Sequence, residues 1–130
     1  MAVKENLKKL AIVGALAATA SGTVLTGTAS AAQEKVCSGS YFCNITDGGG
    51  TYVGYVDAYR GTRTQGMYGF FEVFAPGEAP RTGVTDRATT KRFPIRKSYG
   101  GGLICLRFFE MVAGAARERG AAACTSIPIG

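Results

Sequence analysis

The sequence predicts an all-β fold, a small disulfide-stapled antiparallel β-sandwich behind a cleaved signal peptide. Three observations carry that expectation. Nineteen glycines cut a chain of 130 residues into short segments. The segments between them are rich in Val, Ile, Tyr and Phe, the residues that suit strands. The four cysteines all lie beyond residue 36, and an even count in a short exported chain marks a stapled framework.

The chain opens on an address. Lys4, Lys8 and Lys9 precede the apolar run LAIVGALAATA, and Ala29-Ser30-Ala31 supplies an A-x-A cleavage pattern. A retained membrane anchor would need roughly 20 apolar residues, and Gly22 to Thr28 is too polar to extend the run that far. A lipid anchor would need a cysteine at the cleavage site, yet Cys37 follows Glu34-Lys35-Val36. Residues 1–31 are therefore expected to be a secretory signal peptide. Residues 32–130 form one β-sandwich domain in this reading, secreted into an oxidising extracellular space.

Strands are expected at Tyr41 to Ile45, Thr51 to Arg60, Gly66 to Ala75, around Arg92 to Arg96, at Leu103 to Val112 and at Ala121 to Ile127. Turn chemistry separates them: TDGGG at 46–50, GTRTQ at 61–65, APGEAPRTG at 75–83 and SYGGG at 98–102. Residues 108–123 admit either a helix or a hairpin. Gly114 and Gly120 weaken the helix, and a hairpin centred near Gly114-Ala115 sets Cys105 beside Cys124. Four cysteines allow three pairings; Cys37 with Cys43 and Cys105 with Cys124 are the expected ones. A zinc site is the competing use, but the chain has no histidine and its cysteine spacings lack Cys-x2-Cys knuckles. No metal and no cofactor are expected.

GMYGFFEVFAPG, residues 66–77, has no polar side: Met67, Phe71 and Val73 alternate with Tyr68, Phe70, Glu72 and Phe74. If residues 51–60 and 66–75 form a hairpin around GTRTQ, residue i faces residue 126 − i. One face then holds Val53, Tyr55, Asp57 and Tyr59 with Val73, Phe71, Gly69 and Met67, and it is the more core-like. The other holds Tyr52, Gly54, Val56 and Ala58 with Phe74, Glu72, Phe70 and Tyr68. A hairpin apolar on both faces must be covered by later segments, or Tyr52, Tyr68, Phe70 and Phe74 form an exposed aromatic row that receives a partner.

Catalysis meets obstacles. Without histidine, Ser-His-Asp and Cys-His sites are excluded, and oxidised cysteines leave no thiolate nucleophile. Paired carboxylates would have to share one surface, and Asp57 and Glu72 fall on opposite faces of the expected hairpin. Asp47, Asp86 and Glu110 sit near loops or strand ends with no common spacing. NITDGGG offers a calcium ion only Asn44 and Asp47, and its NIT formally matches a glycosylation acceptor. The chain is read as a non-enzyme.

Charge points more weakly. The sequence has fifteen Lys and Arg against nine Asp and Glu; Lys4, Lys8, Lys9 and Glu5 lie in the leader, which leaves twelve against eight. Arg81, Arg87, Lys91, Arg92, Arg96 and Lys97 cluster around a single acid, Asp86. Such a loop either attracts anionic polymers or keeps a sticky small protein soluble. Arg107 alternates with Leu103 and Cys105 on one strand face, so it is either partly buried and paired with an acid or marks the edge of the core.

The leader ending in ASAA, the four-cysteine β-rich domain and the GFFEVFAPG strand-to-turn resemble the small, largely uncharacterised secreted proteins of filamentous actinobacteria. One characterised group of that type is the tendamistat-like α-amylase inhibitors, two-disulfide β-sandwiches with an exposed Trp-Arg-Tyr turn. This chain has no tryptophan and its cysteine spacing differs, so amylase inhibition does not carry over. What the resemblance implies is a compact, non-enzymatic β-sandwich.

The leading functional expectation is a secreted binding protein. Its target would be an extracellular polysaccharide or the cell envelope, met through the aromatic row, the basic loop or both. An inhibitor of a secreted hydrolase, with APGEAPRTG as a rigid loop presenting Arg81, is the first alternative. An antagonistic antimicrobial protein acting through its positive charge is the second. A nucleic-acid partner is not expected outside the cell.

Overall fold

The computed structural model describes residues 32–130; the proposed leader, residues 1–31, lies outside the described residues. The described chain is all-β: β1 (Ala32–Ser38), β2 (Phe42–Gly49), β3 (Tyr52–Arg60), β4 (Gly69–Phe74), β5 (Arg81–Thr82), β6 (Thr90–Ser98), β7 (Gly102–Val112), β8 (Ala115–Glu118) and β9 (Ala123–Ile127). Two antiparallel sheets result. The first has the order β1-β2-β3-β6, and the second β9-β7-β4-β5 with β8 also on β7. Their inner faces share one core. Phe42, Val53, Val56, Ala58, Phe93 and Ile95 come from the first sheet, and Phe71, Val73, Ile104, Leu106, Phe108 and Ile127 from the second. Phe42 meets Phe71 edge-on across the interior at 5.9 Å between ring centroids, and Phe71 packs on Phe108 at 5.0 Å.

Both expected disulfides are present, Cys37–Cys43 and Cys105–Cys124, and no described cysteine is free. Each joins directly opposed residues, of β1 and β2 in one case and of β7 and β9 in the other. Residues 108–123 form the hairpin rather than the helix. Ala113 and Gly114 make a two-residue loop with φ of 52° and 79°, the left-handed pair that matches strand twist in tight hairpins.

The hairpin expected between residues 51–60 and 66–75 is not formed. β3 pairs with β2 and β6, whereas β4 pairs with β7 and β5 in the other sheet. GTRTQ does not reverse the strand; it turns the chain out of the first sheet and into the second. Strand extents differ too. β1 is not among the strands expected from the sequence, β2 runs on to Gly49, β4 is shorter at both ends, and the piece around Arg92 is a nine-residue strand.

Arg60 organises the crossing. It ends β3 and is almost fully buried. Its guanidinium donates to the carbonyls of Thr64 (3.1 Å), Met67 and Asp86 (2.9 Å) and lies 4.7 Å from the centroid of the Phe108 ring. Burial lowers its pKa from the ordinary arginine value, partly offset by the Asp86 charge.

A second buried polar group links the sheets. Asn44 Nδ2 donates to the carbonyls of Ala123 (2.9 Å) and Ile104 (3.3 Å), and Asn44 Oδ1 accepts from the Thr46 hydroxyl (2.7 Å). These hydrogen bonds satisfy an amide that would otherwise be costly inside. They also engage the acceptor of the NIT sequence in the core.

Replacing Arg60 by Ala should lower the unfolding free energy by at least roughly 1.5–3 kcal/mol, the range for one hydrogen bond to a charged group, since three carbonyls lose their donor. Urea unfolding followed by tyrosine fluorescence measures it, and a change inside error would contradict the role assigned to Arg60.

Candidate binding faces

The outer face of the first sheet is set by a bulge. Asp47 faces Tyr55 while Gly48 faces Val53, so Gly54 is an extra residue in β3 against β2. On the other side Val53 faces Lys97 and Tyr55 faces Pro94, so Ile95 and Arg96 together face Gly54. A bulge resets the alternation of side chains. Val53 points inward before it, and Val56, Ala58 and Arg60 point inward after it. Tyr55, Asp57 and Tyr59 consequently face outward, not into the core as the hairpin register implied.

This outer face forms a grid whose rows follow from the register: Gln33, Asp47, Tyr55 and Pro94; then Lys35, Ile45, Asp57 and Arg92; then Cys37, Cys43, Tyr59 and Thr90. Arg92 is clamped at its centre. Its Nε and one terminal nitrogen donate to the two Asp57 oxygens at 2.7 and 2.8 Å. Its guanidinium carbon lies 3.7 Å from the Tyr55 ring centroid. The Asp57 carboxylate raises the arginine's pKa above its ordinary value. Gln33 Nε2 donates to the Tyr55 hydroxyl at 3.4 Å. Tyr52 and Tyr59 stand on the same strand, 44% and 40% exposed.

The outer face of the second sheet answers the question posed by the two-sided apolar strand. Phe71 and Val73 of β4 fill the core, while Phe70, Glu72 and Phe74 face outward and are half-buried by cross-strand neighbours. Phe70 stacks on Phe109 at 5.3 Å and 18°. Arg107 lies 5.1 Å from the Phe74 ring centroid and pairs with Glu118 at 3.0 Å, the paired one of the two alternatives its position allows. Leu103 is 52% exposed on the same face, near the Cys105–Cys124 bridge.

The aromatic row of the sequence reading is therefore divided. Tyr52 belongs to the first sheet, Phe70 and Phe74 to the second, and Tyr68 precedes β4 with Arg87 5.3 Å from its ring centroid. The outward direction of Tyr55, Asp57, Tyr59 and Phe109 is not foreseen from the sequence, and Asp57, although on the outer side, is largely covered. The signal for the first three was Gly54 itself, since a glycine that interrupts an apolar strand commonly marks a bulge.

The basic cluster is largely neutralised by Asp86 within it and by Glu78 and Asp57 outside it. Arg92 pairs with Asp57, Lys91 with Asp86, and Arg81 and Lys97 both with Glu78. Arg87 and Arg96 have no carboxylate partner among the described residues. Arg96 occupies the bulge of β6 at φ 53°, and the reversal turns Lys97 toward Glu78. Glu78 also accepts from the Tyr99 hydroxyl at 3.1 Å. Asp57 and Glu72 lie on the outer faces of different sheets, too far separated to act as a carboxylate pair. Among the described residues no three His, Cys, Asp or Glu side chains gather as a metal-binding group, and no helix is long and apolar enough to cross a membrane.

Hydrogen bonds from Lys97, Arg81 and Tyr99 hold the Glu78 carboxyl down to about 2, against 4.5 for a free one. Ionisation is thus favoured more in the folded state. The contribution to stability is complete above about pH 4.5 and is lost as the pH falls through about 2. The gap in thermal midpoint between wild type and Glu78→Gln should close across that window; a gap constant with pH would contradict the cluster.

Comparison of the chain with protein-family models, with curated proteins and with solved structures found no match.

Proposed function

We propose that this is a secreted, non-catalytic binding protein whose target is an extracellular polysaccharide or polysaccharide-bearing cell envelope. The observation that carries the reading is the outward set on the first sheet: Tyr52, Tyr55 and Tyr59 around a rigid Asp57–Arg92 pair. Tyrosine offers a ring for the apolar face of a sugar and a hydroxyl for its polar edge. Groups already fixed by each other lose little entropy when a ligand docks. Export is supported by the leader-like residues 1–31 and by two disulfides, which persist in oxidising compartments.

The inhibitor reading draws less support from the loop after β4. It needs Arg81 to project into an active site, and that guanidinium is turned onto Glu78 at 2.9 Å. The antimicrobial reading needs free positive charge, and four cations of the cluster are paired.

Purified oxidised protein should sediment with one or more insoluble polysaccharides or envelope preparations. The double variant Tyr52→Ala/Tyr59→Ala, folded to the same circular dichroism spectrum, should remain in the supernatant. Failure of the wild type to sediment with any of them would reject the proposal and direct attention to a protein target.

A further inference from the structure

We infer that the ligand is an uncharged, extended polysaccharide and that it lies along β3 on the outer face of the first sheet. The inference rests on the polysaccharide reading and narrows it to one chemical class and one surface.

Charge is the first argument. The outward residues of this grid include two acids, Asp47 and Asp57, and two cations, Lys35 and Arg92. Arg92 is bound through both oxygens of Asp57, so the strongest positive group on the face is already compensated. With Arg96 the face stands within one charge of balance, so an anionic polymer gains little from it and would have to compete with Asp57 for Arg92. Arg87 is not a member of the grid; Lys35 on β1 and Arg96 at the β6 bulge, opposite Gly54, are cations of this sheet without a carboxylate partner among the described residues. An uncharged chain asks for what the face offers: flat apolar area edged with fixed donors and acceptors.

Shape is the second. Gln33 is on β1, two strands from Tyr55, yet its amide reaches the Tyr55 hydroxyl. With strands about 4.8 Å apart, the two side chains reach toward each other over β2 to make that contact. Arg92 covers the ring at 3.7 Å, and its side chain is 58% exposed. The surface offered is a guanidinium plane backed by an aromatic ring. Tyr59 follows Tyr55 by four residues, roughly 13 Å at strand rise, and Tyr52 precedes it by three, shortened by the Gly54 bulge. Aromatic positions spread along one strand suit an extended chain better than the compact end of a branched one. A protein partner would demand a contiguous apolar centre, and here the centre of the grid is the Asp57–Arg92 ion pair.

The test compares retention of the full oxidised chain on insoluble neutral polymers (cellulose, chitin and a β-1,3-glucan) and on cross-linked acidic ones (pectate and alginate), in low and in molar salt. Retention on a neutral polymer is expected to change less than about twofold with salt, because no net charge is screened. Tyr59→Ala or Tyr52→Ala is expected to weaken it about fivefold to tenfold, the scale of one lost aromatic contact, while Tyr59→Phe retains most of it. Leu103→Ser, on the opposite face, should leave it unchanged.

Retention only on acidic polymers, abolished by salt, would overturn the uncharged class while leaving the polysaccharide reading in place. Loss through Leu103→Ser with Tyr59→Ala unaffected would overturn the choice of face. No retention on any polymer would overturn both the inference and the reading beneath it.

Discussion

The chain changes sheets at a buried arginine, and much of the sandwich follows from that constraint. A guanidinium cannot be left inside a protein without acceptors. Arg60 ends β3 pointing inward, so the backbone that follows must supply carbonyls within its reach. Thr64 and Met67 do so from the crossing loop, and Asp86 from the segment that leads back to the first sheet. Phe108 of β7 closes the remaining side with its ring. One side chain thereby joins the outward crossing, the return crossing and the centre of the second sheet. A tight hairpin at residues 61–65 would place β4 beside β3 instead of across the core from it.

The same economy governs the surface. Had β3 alternated without interruption from Val53, then Tyr55, Asp57 and Tyr59 would share the interior with it. The extra residue Gly54 reverses the order, and Ile95-Arg96 on β6 answers it with a bulge of its own. β6 is an edge strand, and Pro94, the bulge and its charged side chains discourage pairing with another chain. Three tyrosines thus reach solvent on a face whose edge is protected.

Charge follows tertiary placement more than sequence density. The cluster from Arg81 to Lys97 contains one acid along the chain, but Glu78 and Asp57 reach it through folding. Pairing inside a rigid framework converts a positive stretch into clamps. Glu78 ties the loop after β4 to the end of β6 and to Tyr99, and Asp57 holds Arg92 against Tyr55. The cations in these clamps have less to offer an external anion, and the tyrosines beside them become better ordered.

Local chemistry by itself determined the strand character of most segments, and it favoured, without fixing, the turn between β7 and β8 and the pairing of both disulfides. Each depends on residues close in sequence: β-branched and aromatic runs, a glycine that takes positive φ, and cysteines brought opposite each other by a tight hairpin. The partner of each strand in space was another matter. Phe71 and Val73 were legible as core because their own alternation demands burial, whereas the assignment of β3 and β4 to different sheets depended on Arg60 meeting Asp86 and Phe108, contacts distant in sequence. Tyr55, Asp57 and Tyr59 became a surface only through a register shift that pairing with two neighbours reveals. The hydrophobic pattern limits which faces can be buried. Only the tertiary structure decides which neighbours bury them, because that choice is made by contacts between residues the chain itself keeps far apart.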